Sequence, residues 1–524
     1  MRCVAGAGLL ALVGCNQVFG ITNTTVYDAS ADVPVDIPFV RLTWQVAQVL
    51  PSGDPDPTIA DVPISPPPKV RYAPLGGPFT DASYSAIDGS IAVAREFFTP
   101  PTTWRLEYTL ADNVPHEVQW APESKHGHLT VPMFGRADRD AVPSGSGYTI
   151  MPVGGKPPYT GPRVFTTGLW TEGVVNNYVS GATVSYDFAN AFSMSGPTGR
   201  PDPTRGDRAL LVDYRLTSTN PSCRVADGSA ALDSAALQAG SFSMPHSAWD
   251  AQTRPVASDR LDTPAILGRL PAALGNLGMP PLQGSVSFGI AASTSMPGLP
   301  GVPVNPQVSP MSFLPAPAMV MLFQCPYNTA GGGAPQLPLT AQPVILDHFP
   351  RLLWYELVEV RTVALPPPLP SIALASGMET VIGATTSDGF AIVFPAAIPT
   401  AMTLTTPEAG VADLAGDSEM VAIGPARGSF TLGFTPEPDT ALRADYYDVT
   451  LYRFDDQGAL KTVRVFTVTA PRVQVDGSLF TPGAIYVFQV RSYKGHPNAQ
   501  QGDFRPVDYP YGSAIVFTRT FTAS

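Results

Sequence analysis

Leu479-Phe480-Thr481-Pro482-Gly483-Ala484-Ile485-Tyr486-Val487-Phe488-Gln489-Val490 is the stretch whose reading decides the fold. A Pro-Gly turn is followed by β-branched and aromatic residues, the types that suit a pleated, half-buried strand. Working outward, Ser429-Phe430-Thr431-Leu432-Gly433-Phe434-Thr435-Pro436 alternates at period two and stops at a proline. Tyr447-Asp448-Val449-Thr450-Leu451-Tyr452 alternates with one apolar face, and Asp455-Asp456-Gln457-Gly458 reads as a hairpin turn. Ala514 to Phe521 supplies a last strand. Such alternation predicts antiparallel sheets packed on one face.

The same signal recurs upstream. Val40 to Val46, Ser90 to Ala94 and Trp104 to Leu110 predict strands of a small β-sandwich over 37–123. Leu129 to Phe134, Gly181 to Phe188, Ala209 to Leu216, Ser285 to Ile290, Ala318 to Phe323 and Leu352 to Val363 predict a larger β domain over 124–396, or two smaller sandwiches. Short helices are expected only at Ala230 to Ala239 and Pro264 to Leu270, where Pro271 should interrupt. With 58 prolines among 524 residues, about twice ordinary usage, long helices and coiled coils are excluded. The expected fold class is therefore all-β: several antiparallel β-sandwiches joined by Pro/Gly-rich loops, the last over 397–524.

Charge excludes one class of partner. The formal net charge of -12 repels phosphate backbones, so nucleic acid is not expected as a ligand. The opening Met1-Arg2-Cys3-Val4-Ala5-Gly6-Ala7-Gly8-Leu9-Leu10-Ala11-Leu12-Val13-Gly14-Cys15 has one basic residue, an apolar run too short to span a bilayer, then small residues. That is a signal-peptide layout over 1–14, and residues 15–36, polar and poor in large apolar groups, read as a flexible tether.

Two family resemblances sharpen these readings. Leu12-Val13-Gly14-Cys15 resembles the lipobox of bacterial lipoproteins, which implies that Cys15 carries diacylglycerol and anchors the chain to a membrane. Asn16, rather than Asp, after that cysteine implies the outer membrane of the cell envelope, and Cys15 to Gly20 resembles the openings of predicted myxobacterial lipoproteins. Leu479-x-x-Pro482-Gly483-x-x-Tyr486 resembles the segment of fibronectin type III domains that builds a tyrosine corner. It implies that Tyr486 is buried with its hydroxyl bonded to backbone near Leu479 to Thr481, although Phe434 stands where that family usually has tryptophan and the region before Ser429 is longer than a standard first strand, which leaves a related immunoglobulin-like sandwich as the alternative.

If residues 1–14 are removed and Cys15 is lipidated, Cys223 and Cys325 remain, two cysteines in an oxidising compartment. They are expected to form a disulfide, the alternative being two separately buried thiols. Catalytic patterns are thin. His116-Glu117-Val118-Gln119-Trp120 begins like a zinc-protease helix but has Trp120 where the second histidine must stand. His126 and His128 fall on one face of a strand and could meet Asp138 or Asp140 at a metal, yet a solvent-facing strand end is the plainer reading. Ser144-Gly145-Ser146-Gly147 reads as a loop rather than a nucleophile elbow, and Arg205-Gly206-Asp207 as a polar loop rather than an adhesion tripeptide. Neither metal nor cofactor is expected. In Tyr446-Tyr447 one ring should face solvent, and Tyr509-Pro510-Tyr511 offers further aromatic surface. The expectation is a lipid-anchored, non-enzymatic envelope protein that presents β-sandwiches to a protein or polysaccharide partner. The alternative is a secreted-type hydrolase of polysaccharide or protein with its catalytic core in 124–396.

Overall fold

The computed structural model describes residues 39–48, 58–93, 103–110, 113–120, 126–134, 163–166, 171–174, 183–187, 192–193, 196–197, 202–205, 209–216, 224–232, 234–239, 241–245, 253–255, 264–279, 283–291, 319–327, 344–346, 352–383, 392–408, 410–416, 420–504, 508 and 510–524. The fold is all-β, and among the described residues the helices between strands are short.

Eight strands come first: β1 (Phe39–Gln48), β2 (Thr58–Pro63), β3 (Lys69–Pro74), β4 (Thr80–Ala82), β5 (Ser90–Ala92), β6 (Trp104–Thr109), β7 (Pro115–Trp120) and β8 (His126–Phe134). β1 pairs antiparallel with β2 and β5 along one edge and parallel with β8 along the other. A second, antiparallel sheet runs β4-β3-β6-β7. Period-two alternation turns Trp104, Leu106 and Tyr108 toward Val40, Leu42 and Leu129 of the first sheet, and these side chains share one buried core.

The C-terminal unit has β15 (Ala401–Thr406), β16 (Gly410–Asp413), β17 (Ser429–Thr435), β18 (Tyr446–Phe454), β19 (Leu460–Val468), β20 (Arg472–Asp476), β21 (Ile485–Lys494), β22 (Tyr511–Phe517) and β23 (Phe521–Thr522), numbered after six central strands. Those six are β9 (Ala209–Leu216), β10 (Arg224–Leu232), β11 (Gln283–Ala291), β12 (Met319–Tyr327), β13 (Leu352–Val363) and β14 (Ile372–Gly383). One C-terminal sheet is ordered β16-β15-β17-β20 and the other β19-β18-β21-β22. Between them Leu404, Phe430, Leu432 and Val473 pack on Val449, Leu451, Phe488 and Val490. The β18–β19 hairpin closes through Asp455, whose Oδ1 accepts from the amides of Gln457 (3.0 Å) and Ala459 (2.7 Å), while Gly458 takes the positive φ of 79° that the turn needs.

The three segments share a sheet. β7 pairs in parallel with β19, and β22 pairs antiparallel with β14. Hydrogen bonding therefore runs β4-β3-β6-β7-β19-β18-β21-β22-β14-β13-β11-β12-β10-β9 without a break. Among the described residues no register joins β4 to the far end of this path. The cores follow the sheet: Leu353, Tyr355 and Met378 of β13 and β14 belong to the C-terminal core, and Tyr446, Tyr493, Ala499 and Phe504 belong to the N-terminal one.

Two helix expectations change. Arg224–Leu232 is strand, so only Ser234–Ala239 remains helical: Ala230 and Leu232 are buried opposite Leu211 and Ala209, and that pairing overrides alanine's preference for helix. At the second site one turn, Pro264–Leu267, is followed by a helix over Arg269–Asn276 that runs past Pro271. Pro271 lies in that helix's first turn, where its missing N–H has no intrahelical acceptor to lose. Leu270 and Leu274 of this helix seal the core beside β13.

Candidate functional site

Charge concentrates where β7 meets β19. In Trp104-Arg105-Leu106-Glu107-Tyr108 the odd-numbered residues point away from the N-terminal core, and the register sets Glu107 opposite Glu117 and Arg105 opposite Gln119. That face continues as the inner face of the C-terminal sandwich, because Glu117 pairs with Phe466. The covering sheet ends at β20, so beyond it the face carries charged instead of apolar groups.

Arg464 reaches across the seam. Its Nη1 lies 2.8 Å from Glu107 Oε2 and 2.5 Å from Glu117 Oε2. Arg71 Nε donates to Glu107 Oε1 at 2.8 Å, and Arg105 Nη1 stands 3.7 Å from Glu117 Oε1 while its Nη2 donates to the Gly77 carbonyl at 2.6 Å. The Arg71 and Arg105 guanidinium groups sit 4.6 and 4.1 Å from the Phe79 ring centroid. Gln119 caps the edge of β20: its Nε2 donates to the Gln474 carbonyl at 2.7 Å and its Oε1 accepts from the Gln474 amide at 2.9 Å, so one side chain stands in for a neighbouring strand. Burial works to raise the Asp476 carboxyl, but the Ser478 amide and hydroxyl with Arg105 and Arg464 outweigh it and hold the pKa below its ordinary value. These groups are engaged with one another or with backbone, which suits them to fixing a register.

A second polar row crosses the opposite face. Glu356 pairs with Glu379, Glu379 with Ser513, Asp448 with Arg491 and with Thr467. All six are buried. Ser513 Oγ donates to Glu379 Oε1 at 2.5 Å and Thr467 Oγ1 to Asp448 Oδ1 at 2.5 Å. Burial works to lower the Arg491 pKa, yet the facing Tyr493, Glu379 and Asp448 keep it above the ordinary value.

The residues singled out from sequence fall as follows. Tyr486 is fully buried; its hydroxyl accepts from the Thr481 amide at 2.7 Å and lies 3.4 Å from the Leu479 carbonyl, with its ring against Phe480 and Phe521. Cys15 and Cys223 lie outside the described residues. Cys325 is in β12 opposite Val286, and the neighbours of the two cysteines, Arg224 and Gln324, are cross-strand partners. Both Tyr446 and Tyr447 are buried, contrary to expectation, because this strand is covered on both faces: Tyr447 meets Phe434 in the C-terminal core and Tyr446 stacks on Tyr493 in the N-terminal one. Burial raises both phenols, Tyr447 to about 12. Tyr511 is buried too, and Tyr509 lies outside the described residues.

His116 is in strand β7, stacked on Tyr108 at 5.0 Å. His128 is buried, its Nε2 2.9 Å from Thr43 Oγ1 and 3.7 Å from Asp61, whereas Asp138, Asp140 and Ser144 to Gly147 lie outside the described residues. Arg205 ends a short 3-10 turn, and Gly206 and Asp207 lie outside. Among the described residues there is no group of three or more potential metal ligands, and no helix is long and apolar enough to cross a membrane. Sequence reasoning missed the bonds from Arg464 to Glu107 and Glu117 and from Gln119 to Gln474, each spanning more than 300 positions; the charged alternation of β6 and the short link from Gln119 Nε2 to Glu117 were the local traces. Set beside known proteins, the chain matches no protein-family model, no curated protein and no solved structure.

Proposed function

We propose that this chain is a lipid-anchored protein of the bacterial cell envelope, of outer-membrane type, that presents β-sandwich units for binding, adhesion or assembly without catalysing a reaction. The lipobox-like Leu12-Val13-Gly14-Cys15 carries the reading. The two-sheet C-terminal unit with the Tyr486 hydroxyl on the Thr481 amide supports its fibronectin type III-like character. The continuous sheet supports a rigid presenting body, held to a membrane through Cys15 and facing an envelope protein or polysaccharide. The cross-strand pair Arg224 and Gln324 supports a disulfide between the adjoining Cys223 and Cys325.

One intact-mass measurement on the membrane fraction tests both modifications. A mature chain starting at Cys15 with added acyl mass, which gains two hydrogens on reduction, is expected, and Cys15→Ala should lose both the acyl mass and detergent partitioning. An unlipidated mature chain starting elsewhere contradicts the anchor.

One observation favours the hydrolase alternative: Glu356 and Glu379 are directly opposed carboxylates within the 124–396 core. Turnover of a polysaccharide or protein substrate that Glu356→Gln abolishes while folding is kept would establish it.

A further inference from the structure

Beyond the proposed function, one segment joins the two terminal units without belonging to either sheet. Gly495 to Phe504 leaves β21, turns through Ala499–Gln501 and lies against β8. Gly495 begins it at φ 101°, where a Cβ would stand 2.2 Å from that of Tyr511, so only glycine fits. Ala499 and Phe504 are seated in the N-terminal core with Val40, Leu42 and Leu129. On β8, the His128 amide donates to the Gly502 carbonyl at 2.7 Å and the His128 carbonyl accepts from the Phe504 amide at 3.1 Å. The strap is thus a latch between β8 and the C-terminal sandwich.

The latch is fastened around His496. Its Nδ1 lies 3.2 Å from the Phe504 carbonyl, so in the neutral ring the proton sits on that nitrogen. The rings of Tyr446, Tyr493 and Tyr511 stand edge-on around it, at 5.1, 6.3 and 6.1 Å. The charges facing this cage are Asp445 immediately before β18, Asp508 from the return of the loop and Lys494 from the end of β21, with Arg491 behind Tyr493. Asp445 is already committed: Oδ1 holds Lys494 Nζ at 3.0 Å and Oδ2 accepts from the amides of Gly495 and His496 at 2.8 Å each. A positive imidazole here would exchange water for aromatic carbon. On β8, by contrast, the His128 Nε2 has the Asp61 carboxylate 3.7 Å away.

We propose that the strap Gly495 to Phe504 is an acid-operated latch, in which protonation of His496 drives its ring from the tyrosine cage, unseats Ala499 and Phe504 from the N-terminal core and frees β8. Burial pushes the closed-state His496 pKa down from 6.5 to about 4. A released strap has its histidine at the ordinary value, so the latch is fully favoured above pH 6.5 and loses that advantage as pH falls toward about 4. Across that window the opening equilibrium rises about tenfold per pH unit.

Hydrogen exchange on the full chain tests this between about pH 7 and about pH 4.5, with rates corrected for intrinsic pH dependence. Protection of the strap amides and of the His128 amide should fall about tenfold per pH unit below 6.5, while the β21 amides of Phe488 and Val490 stay protected. In His496→Phe, whose ring fills the cage without a titratable nitrogen, that dependence should vanish. Strap protection independent of pH in the wild-type chain, or the same acid loss in the variant, overturns the proposal. Should the variant fail to fold, the imidazole titration of His496 in the wild-type chain decides: a midpoint depressed below 6.5 supports the latch, and one at 6.5 or above overturns it.

Discussion

The sheet passes from unit to unit at two joints built on different chemistry. At β7–β19, four parallel residue pairs are clamped by Arg464 between Glu107 and Glu117, with Gln119 tied to Gln474. At β22–β14, five antiparallel pairs carry an apolar inner face in which Met378 opposes Ala514 within the C-terminal core. An apolar joint spreads its stabilisation over many contacts, roughly 25 cal/mol per Å² of apolar surface buried. A charged joint concentrates it in a few groups whose loss strands buried charges. The first should be weakened most by losing one side chain, and the second by steric intrusion.

Among the largest effects is that of Arg464→Ala, which leaves Glu107 to Arg71 and Glu117 to the more distant Arg105 and should cost about 3–5 kcal/mol. Denaturant unfolding of the full chain, followed by the fluorescence of buried Trp104, measures it. Tyr486 provides the reference within the apolar core. Tyr486→Ala should cost about 3–5 kcal/mol through the cavity it opens. Tyr486→Phe removes only the bond from Thr481 and should cost about 0.5–1.5 kcal/mol, so equal and negligible losses would contradict the corner role. Gly512→Ala intrudes on the second joint, where its Cβ would stand 2.2 Å from the Glu379 carbonyl oxygen. Its cost should be about 1–3 kcal/mol, smaller than that of Arg464→Ala because strands can part slightly without stranding a charge.

What sequence could see follows from the range of its signals. Ser429 to Thr435, Tyr446 to Phe454 and the Asp455 turn were legible because alternation and turn chemistry act within a few residues. Ile372–Gly383 went unread. Its Ala373, Ala375, Ser376 and Gly377 carry weak strand preference, and it is a strand because β13 and β22 flank it, with Gly377 placing the ideal Cβ position 3.1 Å from the Leu357 carbonyl. The exposure expected for one of Tyr446 and Tyr447 failed for the same reason: the element that covers Tyr446 begins near Phe39, some four hundred residues away in sequence. The clamp was invisible as a set, since Glu107, Glu117 and Arg464 become neighbours only once β7 has found β19.

The central claim is that the terminal units form one cooperative body through β7–β19. Native-state hydrogen exchange on the full chain in rising denaturant tests it most directly, comparing amides of Glu117 and Val118 in β7 with those of Phe488 and Val490 in β21. The account predicts that all four converge on one opening free energy, and that Arg464→Ala lowers them together. Early, separate opening of β7 while β21 keeps its full protection would contradict it.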